Sequence, residues 1–132
     1  MIYFDSCAFL KLLLPEEHRP AIAKYVSSNQ QPWVSSELLL VEVLRVLNRG
    51  VPSESSWRWA TKMLAGVVKV PVSEIATRAY QVTPASIRSL DAIHLATALH
   101  VGTPLSAFIT YDKRLEEAAV AHQLPVVVPK DE

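Results

Sequence analysis

Four acids interrupt or border apolar stretches of this chain. Asp5 follows Ile2-Tyr3-Phe4, Glu42 sits inside Leu38-Leu39-Leu40-Val41-Glu42-Val43-Leu44, Asp91 lies in Ser89-Leu90-Asp91-Ala92-Ile93, and Asp112 comes just past Ala107-Phe108-Ile109-Thr110. A carboxylate in apolar surroundings is costly unless a cation or hydrogen bonds compensate it. Oxygen ligands of this kind suit hard cations such as Mg²⁺ or Mn²⁺, which keep several waters and so need only a few carboxylates. In phosphoryl chemistry such an ion stabilises charge developing on oxygen, lowers the pKa of a bound water and orients the phosphodiester. The four acids are therefore expected to converge on one divalent metal site.

Each acid also has a plainer use. Asp5 and Asp112 could cap the helices they precede. Glu42 could pair with Arg45 three residues on, a surface arrangement contributing about 0.2–0.5 kcal/mol. Asp91 suits the first turn of a helix, where the dipole favours negative charge. Singly, none of these positions selects catalysis over structure.

The elements that must carry the acids alternate between strand and helix. Ile2 to Phe4 reads as a buried strand, and Ser6 is expected to cap a helix running to about Leu14, stopped by Pro15. A second helix is expected over 16–27, then a strand at Trp33-Val34-Ser35. From the capping residue Ser36 a helix runs through Leu47 to stop near Gly50; apolar on nearly every side, it is expected to be buried and to shield Glu42. Ser53 caps a helix over 54–65 with Gly66 as its stop, and Val67 to Val70 is a strand closed by Pro71. A helix from Ser73 to about Val82 is broken by Thr83-Pro84. Ser89 opens a helix through Val101, Ala107 to Thr110 is a strand, Asp112 to Ala121 a helix, and Pro125 to Val128 a last strand. This alternation implies an α/β fold with a parallel sheet covered on both faces and right-handed crossovers. In such sheets the ligand crevice lies outside the carboxyl ends of the strands, which is where Asp5 stands.

The totals agree with one globular unit over 1–132. A chain of 132 residues buries roughly two thirds of its unfolded surface and needs no staples. With 50% hydrophobic and 20% charged residues it is neither disordered nor membrane-spanning in character. It lacks an apolar run near the ~18 residues of a spanning helix and the features of a signal peptide, so a cytoplasmic location and no membrane partner are expected. The single cysteine, Cys7, excludes an internal disulfide and a thiolate metal site, in keeping with a reducing compartment. The 13 basic and 13 acidic residues cancel, so any nucleic-acid binding must use local patches rather than overall charge.

The acids and their neighbours also resemble a known family. Ile2-Tyr3-Phe4-Asp5-Ser6-Cys7-Ala8 is similar to the opening of PIN-domain ribonucleases, in particular VapC-type toxins of toxin–antitoxin pairs. The same pattern appears in the helix carrying Glu42, in Ser89-Leu90-Asp91-Ala92-Ile93-His94-Leu95-Ala96-Thr97-Ala98 and in Thr110-Tyr111-Asp112-Lys113-Arg114-Leu115. The resemblance spans almost the whole chain, and the Asp91 stretch is its most specific part. It implies a three-layer α/β/α sandwich around a mostly parallel sheet of about five strands. It further implies that Asp5, Glu42, Asp91 and Asp112 bind one or two Mg²⁺ or Mn²⁺ ions, supported by Ser6 and Thr110, to hydrolyse RNA with metal-activated water. A homodimer and a VapB-type antitoxin are the implied partners. Cys7 stands where many relatives have a second hydroxyl, which should not disturb a hard cation.

Lys11, Arg88, Lys113 and Arg114 are candidate phosphate contacts, with Lys11 and Arg88 preferred. His94, three residues after Asp91, is expected to be a packed, hydrogen-bonded histidine rather than a ligand, and His18, His100 and His122 form no zinc spacing. Trp57 and Trp59 fall on nearly opposite sides of a helix, leaving one for an interface. Other readings are a non-toxin PIN nuclease in RNA processing, or a non-catalytic metal-binding α/β interaction module. A phosphatase phosphorylated on Asp5 is disfavoured because Cys7 occupies the place of its usual second acid. A receiver-like module is disfavoured because Asp91 is helical and Lys130 lies in a tail.

Overall fold

The computed structural model describes residues 1–50 and 53–132. Strands β1 (Ile2–Phe4), β2 (Trp33–Ser36), β3 (Val67–Val70), β4 (Ala107–Ile109) and β5 (Val126–Val127) form one sheet in the order β3-β2-β1-β4-β5. Every pairing is parallel. Parallel neighbours require crossovers, and these are built from α1 (Ser6–Leu13), α2 (Arg19–Ser28), α3 (Leu38–Arg49), α4 (Glu54–Ala65), α5 (Val72–Ala79), α6 (Ser89–Val101) and α7 (Lys113–Ala121).

Because side chains alternate along a strand, β1 and β4 feed two cores. Ile2, Phe4, Ala107 and Ile109 face one side, where they pack with Phe9, Ile22, Leu39, Val43 and Leu64 from α1 to α4. Tyr3 and Phe108 face the other, against Leu95 and Ala98 of α6 and Leu115, Ala118 and Ala119 of α7. Helix α5 packs outside α6 through Ile75, Ala79 and Ala96. The result is the expected three-layer α/β/α sandwich. Burying a large apolar side chain such as Phe4 contributes about 1.5–3 kcal/mol, so strands of only three residues are held chiefly by these two faces.

The chain begins in the middle of its sheet, lays β2 and β3 to one side, then returns to add β4 and β5 on the other. The order therefore reverses at β1, between β1 and β4, the kind of switch point where open α/β sheets leave a crevice. The register Phe4↔Ile109 brings the next residues, Asp5 and Thr110, side by side at that crevice.

Several boundaries differ from the sequence expectation. Helix α1 is capped by Asp5, not Ser6: the Ala8 N–H donates to Asp5 Oδ1 at 2.8 Å, and Ser6 takes the first helical position. Helix α2 starts at Arg19 rather than Glu16, with His18 in the left-handed region at φ 67°. Pro20 explains the delay, since proline fits a helix only in its first turn. Helix α3 is not buried all round. Only Leu39, Val43 and Leu47, four residues apart, are fully buried, with Leu44 packed partly against the same core, while Leu40 and Val41 are exposed. The helix enclosed on most sides is α6, which buries His94 and Thr97 among its alanines and Leu95. Helix α5 stops at Ala79 rather than near Val82, and β5 is shortened to two residues.

Candidate active site

β1 delivers Asp5 to the crevice, where it is 4% exposed. Its Oδ1 accepts the Ala8 N–H and its Oδ2 accepts the Thr110 hydroxyl. Burial still pushes its pKa up to about 6; His94, Thr110 and the Ala8 amide pull it down, and the charge on Asp91 pushes it further up. The Thr110 oxygen also accepts the Asp112 N–H at 3.1 Å. One buried hydroxyl thus ties the end of β4 both to Asp5 and to the start of α7. Asp112 caps that helix, accepting the Leu115 N–H at 3.0 Å.

Asp91 occupies the first turn of α6. Its pKa is raised by burial and by Asp112, with a smaller contribution from Glu42, while His94 and Arg88 oppose the shift. Glu42 projects from α3 with its side chain 22% exposed, and its Oε1 accepts from His94 Nε2 at 2.8 Å. Its partner is thus on another helix rather than Arg45 on its own. Asp5 feels the charge of Asp91, and Asp91 feels Asp112 and Glu42, so the four acids form a line of electrostatic neighbours.

The supporting and basic residues are more dispersed. Ser6 stands beside Asp5 in the chain, at the first position of α1. Arg88, the exposed N-cap residue of α6, is near enough to Asp91 to lower its pKa. Lys11 donates to the Glu17 carbonyl at 3.1 Å and lies 4.9 Å from the centre of the Tyr111 ring. Lys113 shares a small cavity with Lys11, His18 and Lys130, whereas Arg114 lines a separate one with Thr83 and Pro84. The Cys7 thiol is pushed up to about 11 by partial burial and by Asp5, so it stays protonated and offers no thiolate.

Among the described residues, no group of three or more His, Cys, Asp or Glu side chains is arranged to hold a metal ion. The chemistry of the donor set nevertheless fits a hard divalent cation. It consists of carboxylate oxygens, it includes one that is almost wholly buried, and two of its acids are pushed toward protonation by burial and, to a smaller extent, by their acidic neighbours. A divalent charge among them would offset that repulsion.

What the sequence did not single out is the inner support of Glu42. His94 is 1% exposed, and its Nδ1 lies 2.8 Å from the hydroxyl of the fully buried Tyr3. The available signals were the i, i+3 spacing of Asp91 and His94 and a tyrosine in an otherwise apolar buried strand.

The family model described as PIN domain matches residues 2–121. Ribonuclease VapC35 of Mycobacterium tuberculosis is 38% identical over 138 residues, covering 98% of this chain and 97% of the relative. Ribonuclease VapC46 of the same species is 36% identical over 130 residues, covering 97% of each. Among solved structures, M. tuberculosis VapC20, a sarcin–ricin loop cleaving toxin, superposes with a TM-score of 0.70 at 18% identity, covering 89% of this chain and 95% of that one. FitAcB from Neisseria gonorrhoeae superposes with a TM-score of 0.67 at 15% identity, covering 96% of each chain. These two support the fold; the sequence relatives and the family model go further. This chain belongs to the PIN-domain family, among the ribonucleases of the VapC type.

Proposed function

We propose that the protein is a Mg²⁺- or Mn²⁺-dependent endoribonuclease toxin that hydrolyses RNA phosphodiester bonds and is held inactive by a VapB-type antitoxin. The observation that carries this reading is the line of neighbouring acids at the switch point of the sheet, where Asp91 acts on the buried Asp5 and both Asp112 and Glu42 act on Asp91. These four carboxylates would hold the ion. When bound, it would supply positive charge to the phosphate and lower the pKa of the attacking water.

The chain's own groups do the positioning. The Thr110 hydroxyl and the Ala8 amide fix both oxygens of Asp5 while leaving each a further lone pair. Ser6, next to Asp5, is the second supporting hydroxyl. Arg88 and Lys11 are the proposed phosphate contacts; Arg88 stands beside Asp91, and Lys11 must leave the Glu17 carbonyl to serve. Exposed Leu40 and Val41 on α3 and Trp57 and Trp59 on α4 offer apolar surface for a second copy or the antitoxin. Among the described residues no helix is long and apolar enough to cross a membrane, and the proposed site of action is the cytoplasm.

The direct test is to incubate protein freed of any antitoxin with RNA, with and without Mg²⁺ or Mn²⁺. Metal-dependent cleavage, absent after chelation and in Asp5→Asn, is expected. Equal cleavage by Asp5→Asn rejects the proposed centre. Tight binding of a partner with no turnover of any RNA would instead favour the non-catalytic module.

A further inference from the structure

We propose that Tyr3 and His94 form a buried strut that sets the orientation of the Glu42 carboxylate, so that both act as positioning residues for the acid site. The inference rests on reading Glu42 as a member of that site.

The strut crosses three elements. The Tyr3 hydroxyl on β1 is 2.8 Å from His94 Nδ1 on α6, and His94 Nε2 is 2.8 Å from Glu42 Oε1 on α3. Tyr3 and His94 are buried, and Tyr3 is braced by a stacked contact with Phe108, with ring centroids 5.1 Å apart. Neither ring has room to swing in a close-packed core.

Counting protons gives the chain a direction. An ionised Glu42 can only accept, so His94 Nε2 must carry the hydrogen. A cationic imidazole, the form whose charge lowers the pKa values of Asp5 and Asp91, would turn its Nδ1–H to the Tyr3 oxygen; a neutral one has a bare Nδ1, which accepts the Tyr3 O–H. Desolvation raises the Tyr3 pKa well above its ordinary value, so that proton stays in place. Every group in the chain is satisfied by this assignment, in agreement with the absence of unpartnered buried side-chain N or O atoms among the described residues. With Nδ1 protonated and Nε2 bare, by contrast, nitrogen lone pair and carboxylate would face each other at hydrogen-bond distance. Fixing the tautomer from one side is how a histidine commonly orients its partner on the other.

The strut also links the acids to one another. Tyr3 stands two residues before Asp5 on the same strand, and His94 stands one helical turn after Asp91 on the same helix. Glu42, the acid on the more exposed helix, is therefore referred back to the two buried elements that carry Asp5 and Asp91. With one acceptor site of Oε1 held by His94, Oε2 keeps both of its own free for the site.

Two replacements of His94 separate positioning from mere packing. In His94→Gln the terminal amide N–H reaches where Nε2 was and can still donate to Glu42. In His94→Asn the shorter amide falls where Nδ1 was and reaches only Tyr3. On metal-free protein, nitrogen NMR of the parent should show His94 protonated at Nε2, the nitrogen that faces Glu42. The Glu42 carboxyl carbon signal should move in His94→Asn and return toward the parent position in His94→Gln. In a Mn²⁺ titration, His94→Asn should bind about tenfold or more weakly, with His94→Gln recovering most of the loss. A bare Nε2, or equal effects of the two replacements on the Glu42 signal, overturns the strut. If His94→Asn does not fold, Tyr3→Phe removes only the hydroxyl and should still disturb the His94 nitrogen signals; unchanged signals would count against the proposal. If the parent binds no Mn²⁺, the metal reading fails, and the metal-free NMR still decides the strut.

Discussion

Asp5 and Asp131 do the same local job in two parts of the molecule. Asp5 caps α1, accepting the Ala8 N–H and the Thr110 hydroxyl. Asp131 caps α2 from 110 residues away, accepting the His18 and Ala21 N–H groups at 3.1 Å each. Helix α2 has no side-chain cap from its own N-terminal residue, and the tail supplies it. The surroundings differ. The Asp131 side chain is 40% exposed beside His18, whereas Asp5 is buried among other acids and its pKa rises to about 6. The Asp131 cap stays in contact with water, whereas Asp5 makes its two bonds in a buried site where desolvation, more than its acidic neighbour, raises its pKa.

The comparison breaks most visibly through activity. Asp5→Asn keeps the shape of the cap and removes the charge, and should lower metal-dependent RNA cleavage about a thousandfold, since a bound ion contributes several kcal/mol to such reactions. Asp131→Asn should cleave at close to the parent rate. Single-turnover assays on the two variants decide this; a large loss in Asp131→Asn would remove the distinction.

The next effect is in stability against pH. With its native pKa raised above the unfolded value of 3.8, Asp5 binds its proton earlier in the folded state. The metal-free protein should therefore gain stability as pH falls through about 6 toward 4, by at most ~3 kcal/mol. Denaturant unfolding at a series of pH values tests this, and in Asp5→Asn the gain should shrink to the part that Asp91, also raised, contributes. Millimolar Mg²⁺ at neutral pH should stabilise the parent in its place, because a ligand that binds only the folded state shifts the equilibrium by mass action.

Smaller effects belong to the outer groups. Asp131→Ala should cost about 1 kcal/mol, the usual loss for a helix cap, seen as a lower unfolding midpoint with cleavage unchanged. Arg88→Ala should raise KM for RNA by about two- to fivefold with little change in kcat, as befits an exposed charge. A fall in kcat alone would place Arg88 in the chemistry instead of in binding.

Much of this arrangement was legible before the structure. The strand and helix alternation followed from apolar periodicity, and Ser53 and Gly66 marked α4 to the residue because cap chemistry is local. Pairings of distant residues were not legible in the same way. The Asp131 cap of α2 and the His94 partner of Glu42 join residues 110 and 52 apart, and no local pattern encodes them. The supposed burial of α3 failed for a related reason: a run rich in leucine and valine shows that a helix can be buried, while the neighbours available decide which side is. Leu40 and Val41 stay exposed. Asp5 as cap was one of two local possibilities, and the choice over Ser6 turned on one residue of helix phase.

The central position of β1 bears on the order in which the molecule comes into being. Asp5 is synthesised more than a hundred residues before its neighbour Thr110, and Asp112 is later still. While a ribosome is still making the intervening segments, the crevice lacks β4 and the Thr110 hydroxyl that holds Asp5. Any chemistry that needs all four acids together must therefore wait for the segment that carries Asp112.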